Sequence, residues 1–179
     1  MLRRLLHDRG GALIAEIAAL IPVIIVLLLG GSEVARYALL NQKLDRVSTS
    51  MGDLVAQAET LIQSDVNNLM ASVPHVAWPF DFQHDGVVII TSVSAPAGTP
   101  IVNWQVAGAG GFLATSKIGL PGGAATLPDG MTVAVGDTVI ISEVYFNFAP
   151  VFFAEVAPAT VLYHKAMFRP RLGSLNTLG

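Results

Sequence analysis

Cysteine is absent from the 179 residues, and charged side chains are scarce. The missing cysteine excludes a disulfide framework, a thiolate metal site and a cysteine nucleophile. Charged residues make up 13% of the chain, about half of the roughly 25% usual in a soluble domain, whereas hydrophobic residues make up 53%. These values exclude a disordered, highly charged chain. With a net charge of −3, the chain also lacks the basic excess typical of nucleic-acid binding.

Catalytic and metal-binding motifs are missing as well. The four histidines are scattered and follow no metal-ligand spacing such as HExxH. The glycine-rich stretch 108–111 lacks the lysine and serine of a phosphate-binding loop, and no GxSxG motif is present. Asp81, His84 and Asp85 are close in sequence, but a solvated turn explains them better than a metal site. We therefore expect a protein that is not an enzyme and needs no metal or cofactor.

The apolar excess is concentrated near the N-terminus. Residues 12–31 contain twelve Leu, Ile or Val residues and a single charge, Glu16. At 1.5 Å per residue this segment covers about 30 Å, the thickness of a bilayer's hydrocarbon core. The aliphatic side chains supply about −4 to −7 kcal/mol of insertion free energy, and a carboxylate near the helix end costs at most about 3 kcal/mol. The segment therefore predicts a transmembrane helix.

The charges that flank this helix predict its orientation. A basic leader over residues 1–11 contains Arg3, Arg4 and Arg9, and no lysine or arginine lies within 12–31. By the positive-inside rule, the leader stays in the cytoplasm and the C-terminal part lies outside. Removal as an ordinary signal peptide is the alternative, although the apolar region of such a peptide is usually only about 7–15 residues long.

One-sided apolar periodicity follows over residues 32–74. Apolar side chains recur every three or four residues, with one step of five, which predicts an amphipathic helical stem. We expect the stem to end at Pro74, since proline lacks the backbone donor of the next turn. The side chains expected to pack are Tyr37, Leu44, Val47, Met51, Leu54 and Leu61. The pattern leaves open whether they pack on the protein's own head, on neighbouring stems or on both.

Glycine and proline mark candidate bends in the long helix. Gly30, Gly31 and Gly52 each cost about 1 kcal/mol relative to alanine, and the Gly30-Gly31 pair predicts a flexible exit from the bilayer. Pro22 is a second candidate for a kink, because its missing donor frees a carbonyl that neighbouring helices in a membrane can satisfy.

Residues 75–179 predict a β-rich head. Turn signals such as Asp85-Gly86 separate runs rich in β-branched and aromatic residues. The runs expected to form an antiparallel sheet are 87–93, 101–106, 131–135, 138–148 and 159–168. The apolar segment 148–153 is too short for a second membrane span, so we expect it to fill the core or to form an exposed patch that another subunit covers. The expected fold class is α+β, a transmembrane helix continuing as an amphipathic stem that packs on a small antiparallel sheet.

Glu16 is the most informative residue, because a carboxylate in an apolar segment needs a partner in lipid. Snorkelling or protonation near the interface is one explanation. Cleavage between Gly11 and Ala12 provides another, since Glu16 would then be fifth in the mature chain. The Glu16 of a neighbouring subunit could pair with the new N-terminal amine, and the two opposite charges would set the axial register between subunits.

A known family shows a similar N-terminal pattern. Its elements here are Arg9-Gly10-Gly11-Ala12-Leu13-Ile14-Ala15-Glu16, Pro22, the aliphatic run to Gly30, and Glu33 with Arg36. This pattern resembles type IV prepilins, and more closely the TadE-like group of tight-adherence (Tad) pilus pseudopilins and minor pilins. A looser likeness extends to 103–105 and 168–171. Where family members often have an aromatic residue after the glutamate, this chain has Ile17.

The resemblance implies a component of a pilus in the bacterial inner membrane, which primes assembly, forms the tip or is a minor subunit, and so supports surface adhesion. It implies as partners other pilins or pseudopilins and Tad assembly proteins, together with a prepilin peptidase that cuts between Gly11 and Ala12. The alternative is a membrane-anchored extracytoplasmic binding module unrelated to a filament. That module predicts a head that folds and binds its ligand after being cut free near Pro74.

Overall fold

A computed structural model describes residues 9–128 and 130–179, so most of the leader 1–11 lies outside the described residues. The helices are α1 (Arg9–Ala56), α2 (Gln63–Met70), α3 (Val73–Ala77) and α4 (Phe82–Asp85). The strands are β1 (Gly86–Ser94), β2 (Ile101–Gly108), β3 (Thr138–Phe148) and β4 (Thr160–Phe168). The expectation of a long apolar N-terminal helix and a small antiparallel sheet, an α+β arrangement, is confirmed.

The four strands form one sheet in the order β2-β1-β3-β4, and every neighbouring pair is antiparallel. β1 and β3 are the central strands, with Ile90 opposite Ser142. A register shift between Ser92 and Val93 interrupts the pairing of β1 with β2. Both edges of β3 are therefore occupied, by β1 and by β4.

Both faces of the sheet are covered. The second half of α1 packs on one face, where Leu40 and Leu44 share a core with Ile90 and Val144. The connection between β2 and β3 covers the other face and contributes Ile118 among its buried residues. Because the central strands are buried on both sides, their sequences are nearly continuous apolar runs rather than alternating ones.

The side chains expected to pack in the stem have different environments. Leu44, Val47, Met51 and Leu61 are buried in the core. Tyr37 and Leu54 are 44% and 43% exposed. The inward position beside Leu54 belongs to Val55, which is fully buried.

The first half of α1 projects from the head without cover from the described part of the protein. Its large apolar side chains between Leu13 and Leu28 are 49–69% exposed. This is a helix long and apolar enough, by length and composition, to cross a membrane, and its most apolar window has a mean hydropathy of 2.8. The helix runs without a break through Pro22, Gly30 and Gly31.

The helix ends at Ala56, so the expectation of one continuous stem helix to Pro74 is wrong. The chain leaves the helix at 57–62 and continues as α2 and α3, while Leu61, Val66 and Val73 return to the same core. The buried apolar residues therefore recur at roughly helical intervals, although they lie on a connection and two short helices rather than on one helix. Pro74 lies in the first turn of α3 rather than after a helix, and proline is favoured there because the first N–H groups need no intrahelical partner.

Residues 131–135 do not form the expected strand. β3 has no free edge to pair with them, and this segment instead crosses a face of the sheet with Val133 buried. The flanking Gly130 and Gly136 have φ angles of 77° and 85°, a left-handed conformation that glycine adopts without strain. The segment is therefore an irregular part of the loop that covers the sheet.

Candidate functional site

The projecting helix leaves the head beside the connection between β3 and β4. We call this connection, residues 149–159, the foot loop. The ring of Tyr37 on α1 meets Phe148 at the end of β3 edge to face, with centroids 5.4 Å apart. About two turns earlier on α1, a Cβ added to Gly30 would lie 4.0 Å from the Phe153 ring. The foot loop thus contacts α1 where its bare half begins.

Glu33 fastens the foot loop to the helix. Its side chain is buried, and Oε2 accepts hydrogen bonds from the backbone N–H groups of Val151 at 3.0 Å and Phe152 at 3.1 Å. Arg36 donates from Nη1 to Oε1 at 2.7 Å. Hydrogen bonds to an ionised acceptor are stronger than neutral ones. The carboxylate therefore joins two segments that are 118 residues apart.

The surroundings of Glu33 keep it ionised. Desolvation by burial opposes the charge, but the amides of Phe152 and Val151 and the positive charge of Arg36 outweigh it, so the pKa of Glu33 lies below its usual value. The Arg36 guanidinium also lies 5.7 Å from the centroid of the Phe148 ring. Glu33 and Arg36 thus combine an ion pair with aromatic packing at the point where α1 leaves the head.

An open apolar groove lies between α1 and the foot loop. It has a volume of about 440 Å³ and an almost entirely apolar lining. The lining residues include Gly30, Val34, Tyr37, Phe148, Phe153 and Val156. On the loop itself Val151, Phe152 and Val156 are 60%, 51% and 82% exposed. Of the two expectations for 148–153, core filling holds for Phe148 alone, and the loop that follows is an exposed apolar patch.

The residues predicted for processing and subunit register lie at the start of α1. Gly11 and Ala12 are in its first turns, and the side chain of Glu16 is exposed on the bare half. Among the side chains that the structure describes, none hydrogen-bonds or pairs with Glu16. Cleavage between Gly11 and Ala12, the register role of Glu16 and a kink at Pro22 all stay predictions.

A second buried carboxylate, Glu143 on β3, was missed by the sequence analysis. It is fully buried on the face of the sheet away from α1. Four donors reach it: the hydroxyls of Ser116, Tyr145 and Tyr163 and the backbone N–H of Lys117. Burial, and then the nearby charge of Glu143, raise the pKa of Tyr145 and of Tyr163, so both stay protonated donors. The sequence signal that could have identified this buried cluster is a single acidic residue in the middle of an apolar strand.

The cluster at 81–85 forms a small helix rather than the expected turn. The carboxylate of Asp81 accepts a hydrogen bond from the His84 backbone N–H at 3.1 Å and so caps α4. The ring of His84 lies 2.7 Å from Asp85, and that hydrogen bond and charge raise the pKa of the histidine. Within 9–128 and 130–179, no three His, Asp or Glu side chains gather as metal ligands would. The capping role accounts for the cluster.

Compared with protein-family models, curated proteins and solved structures, the chain matches none of them.

Proposed function

We propose that this protein is a pseudopilin or minor pilin of a Tad-type pilus that takes part in pilus assembly, priming or tip formation, and hence in surface adhesion. The observation that carries the proposal is the division of α1 into two halves. The second half completes the core of the head, whereas the first half is an apolar rod that the described residues of the chain leave bare. Such a rod needs lipid or other helices around it, and a pilus subunit meets both in succession.

Assembly then consists of an exchange of contacts around α1. Before assembly the bare half spans the inner membrane, with the N-terminus in the cytoplasm and the head outside. During assembly it moves into a bundle of neighbouring helices. Because lipid tails and apolar side chains are similar solvents, the hydrophobic burial changes little on transfer. The second half of α1 adds exposed side chains such as Val34 and Leu54, which are available to the helices of neighbouring subunits.

Glu16 provides the register in this mechanism. Its carboxylate would be expensive in a helix bundle without a counter-charge. Cleavage between Gly11 and Ala12 by a prepilin peptidase creates a positive amine four residues earlier in the chain. Pairing between that amine in one subunit and Glu16 in the next fixes their axial offset.

The register role is tested by comparing Glu16→Ala with the neighbouring substitution Ile14→Ala in native membranes. Both variants should insert normally, since Glu16→Ala removes a charge from an apolar helix. Only Glu16→Ala should reduce co-purification with partner pilins and piliation. Normal piliation in Glu16→Ala overturns the register role.

Processing is tested by the intact mass of the protein isolated from native membranes. Loss of residues 1–11 supports a prepilin. Loss of residues up to about 31 indicates an ordinary signal peptide and contradicts the proposal.

A helix exchange separates the pilus subunit from a membrane-anchored binding module. In the exchanged chain, an unrelated transmembrane helix of equal length replaces residues 12–29. A pilus subunit should lose co-assembly, because the bare half of α1 is its packing surface. An anchored binding module should keep its surface adhesion, since any anchor serves it equally.

A further inference from the structure

We infer that the foot loop is a second membrane contact: its exposed apolar side chains lie in the headgroup–acyl interface of the outer leaflet, beside the point where α1 leaves the bilayer. The occupant of the groove between α1 and the foot loop is therefore lipid. This contact depends only on insertion of the apolar half of α1, so it belongs to the membrane-inserted protein and does not require that the protein later joins a filament.

The depth of the foot loop follows from its contacts along α1. When residues 12–31 span the hydrocarbon core, Gly30 lies at its outer boundary. The loop touches α1 at Gly30 and at Glu33, which are about 5 Å apart along the axis. The polar interface of a bilayer extends about 5–7 Å beyond each side of the hydrocarbon core. The loop is thereby held at interfacial depth.

The surface of the loop is suited to lipid. Val151, Phe152 and Val156 are at least half exposed, and this patch is continuous with the bare apolar face of α1 through the groove beside Gly30 and Val34. Glu155 is the single charged residue of the loop, so the contact is apolar and does not depend on anionic lipids. Continuity with the spanning segment favours lipid over a second copy of the protein.

Several backbone N–H groups of the foot loop are hydrogen-bonded within the protein, which suits a site with little water. Pro150 and Pro158 have no N–H group. The N–H groups of Val151 and Phe152 are bonded to Glu33, and those of Val156 and Ala157 are bonded to the carbonyl of Phe153 at 2.9 and 2.8 Å. Irregular backbone enters lipid only where its polar groups are satisfied by the protein. Glu33 thus satisfies two of the loop's backbone donors and lowers the cost of placing this loop at the membrane.

Arg36 marks the polar border of the contact. Its side chain is 36% exposed and is held by Glu33 and the Phe148 ring. A guanidinium at this position reaches the headgroup level while its aliphatic stem covers apolar surface.

The absence of cysteine permits a direct test with single-cysteine variants of the full chain. Val156→Cys labels the loop. Val135→Cys is the matched control, because Val135 is also a valine and 72% exposed, but it adjoins Gly136 and Asp137 at the opposite end of β3. Each variant carries an environment-sensitive fluorophore and is reconstituted in phosphatidylcholine vesicles at about one protein per vesicle. Nitroxide-labelled lipids then report contact with the acyl region, and aqueous iodide reports contact with water.

We expect the fluorophore at position 156 to show blue-shifted emission relative to position 135. Shallow nitroxide lipid should quench position 156 several-fold more than position 135, and iodide should quench position 135 more than position 156. Val151→Cys should behave as Val156→Cys does, which guards against a local distortion at one site. Equal quenching by iodide at 156 and 135 overturns the inference. Protection that appears only at high protein density identifies a second copy as the occupant and also overturns it. Either failure leaves the Glu16 test of the pilus proposal unaffected.

Discussion

Two buried carboxylates fasten loops to the helix and to the sheet. Glu33 holds the foot loop at the exit of α1, and Glu143 holds the covering loop at Ser116 and Lys117 on the far face. A buried acid is tolerated when it is hydrogen-bonded, and both residues receive hydrogen bonds from loop backbone N–H groups that are distant in sequence. Each acid therefore fixes the position of a segment that has no regular structure of its own.

The anchoring of the foot loop should depend on pH through Glu33. The folded-state pKa of Glu33 is below the ordinary value of 4.5, so the contribution of its carboxylate is complete above that value. It is lost as the pH falls through the lower pKa of the folded protein. Amide chemical shifts of Val151 and Phe152, recorded on the full chain in detergent, should change in that acidic range.

The matched controls for this titration are Glu33→Gln and Glu155→Gln. The first should abolish the transition at Val151 and Phe152. The second removes an exposed acid of the same loop and should preserve the transition. A midpoint above 4.5, or a transition that survives in Glu33→Gln, contradicts the anchoring role.

Glu143→Ala should be among the most destabilising substitutions in the head. It leaves the donors of Ser116, Lys117 and Tyr163 without an acceptor, whereas the Tyr145 hydroxyl can still donate to the Thr115 carbonyl. Each unsatisfied buried group costs about 1–3 kcal/mol. We expect the free energy of unfolding, measured by denaturant titration, to fall by about 3 kcal/mol or more. Glu59→Ala, at an exposed acid, should change it by less than about 0.5 kcal/mol. Similar stability of both variants would show that the buried carboxylate contributes little.

At the scale of elements, Gly52 is a position where α1 lies close against the sheet. A Cβ there would lie 2.7 Å from Cδ2 of Phe168 and 3.4 Å from Cβ of Ser142. Alanine normally stabilises a helix by about 1 kcal/mol relative to glycine. Here it would displace a packed ring, and overpacking costs about 1–3 kcal/mol. The sequence analysis treated Gly52 as a weak point, whereas its contacts give it a packing role.

Gly52→Ala should therefore lower the stability of the head by up to about 2 kcal/mol. Gly31→Ala is the matched control, because a Cβ at Gly31 meets nothing within 4 Å. Thermal unfolding in detergent should show a lower midpoint for Gly52→Ala and an unchanged or higher one for Gly31→Ala. An increased midpoint for Gly52→Ala would mean that the Phe168 ring yields without cost.

Runs of β-branched and aromatic residues bounded by turn residues correctly predicted strands of the sheet. The run 138–148 matches β3, and 87–93 and 101–106 fall within β1 and β2. The run 131–135 has a similar composition, but its neighbour in sequence, β3, is already paired on both edges, by β1 and by β4. The sequence does not display which strands pair. Similarly, the break after Ala56 was hidden because Leu61, Val66 and Val73 bury themselves in the core at helical spacing.

The candidate site was predicted only in part. The apolar rod and Glu16 are visible in the sequence because length and composition define them. The anchor at Glu33 was noted only through a family resemblance, since its function depends on amides 118 residues later in the chain. Contacts between distant segments leave no periodic signal, and so neither the groove nor the Glu143 cluster could be predicted.

At the scale of the whole molecule, the two halves of α1 have different environments. Its second half is the inner layer of the head, and its first half is a bare rod. Because one unbroken helix connects them, a force on the rod is transmitted to the core of the head rather than to a linker. Glu33 reinforces this junction by holding the foot loop against the helix.

This architecture predicts opposite outcomes for two truncations. A fragment of residues 32–179 keeps the apolar side chains that α1 places on the sheet, which are Leu40, Leu44, Val47, Met51 and Val55. A fragment of residues 75–179 loses all five. At about 1.5–3 kcal/mol each, their loss removes roughly 8–15 kcal/mol, as much as the whole stability of a typical domain, about 5–15 kcal/mol.

We therefore expect residues 32–179 to unfold cooperatively and residues 75–179 to aggregate, as measured by circular dichroism melting and size-exclusion chromatography. Leu44→Ala within 32–179 provides an intermediate case and should cost about 2–5 kcal/mol. Cooperative folding of 75–179 would mean that the sheet and its covering loop suffice without α1. In that case the helix would be a simple tether, and an anchored binding module would explain the protein better than a pilus subunit.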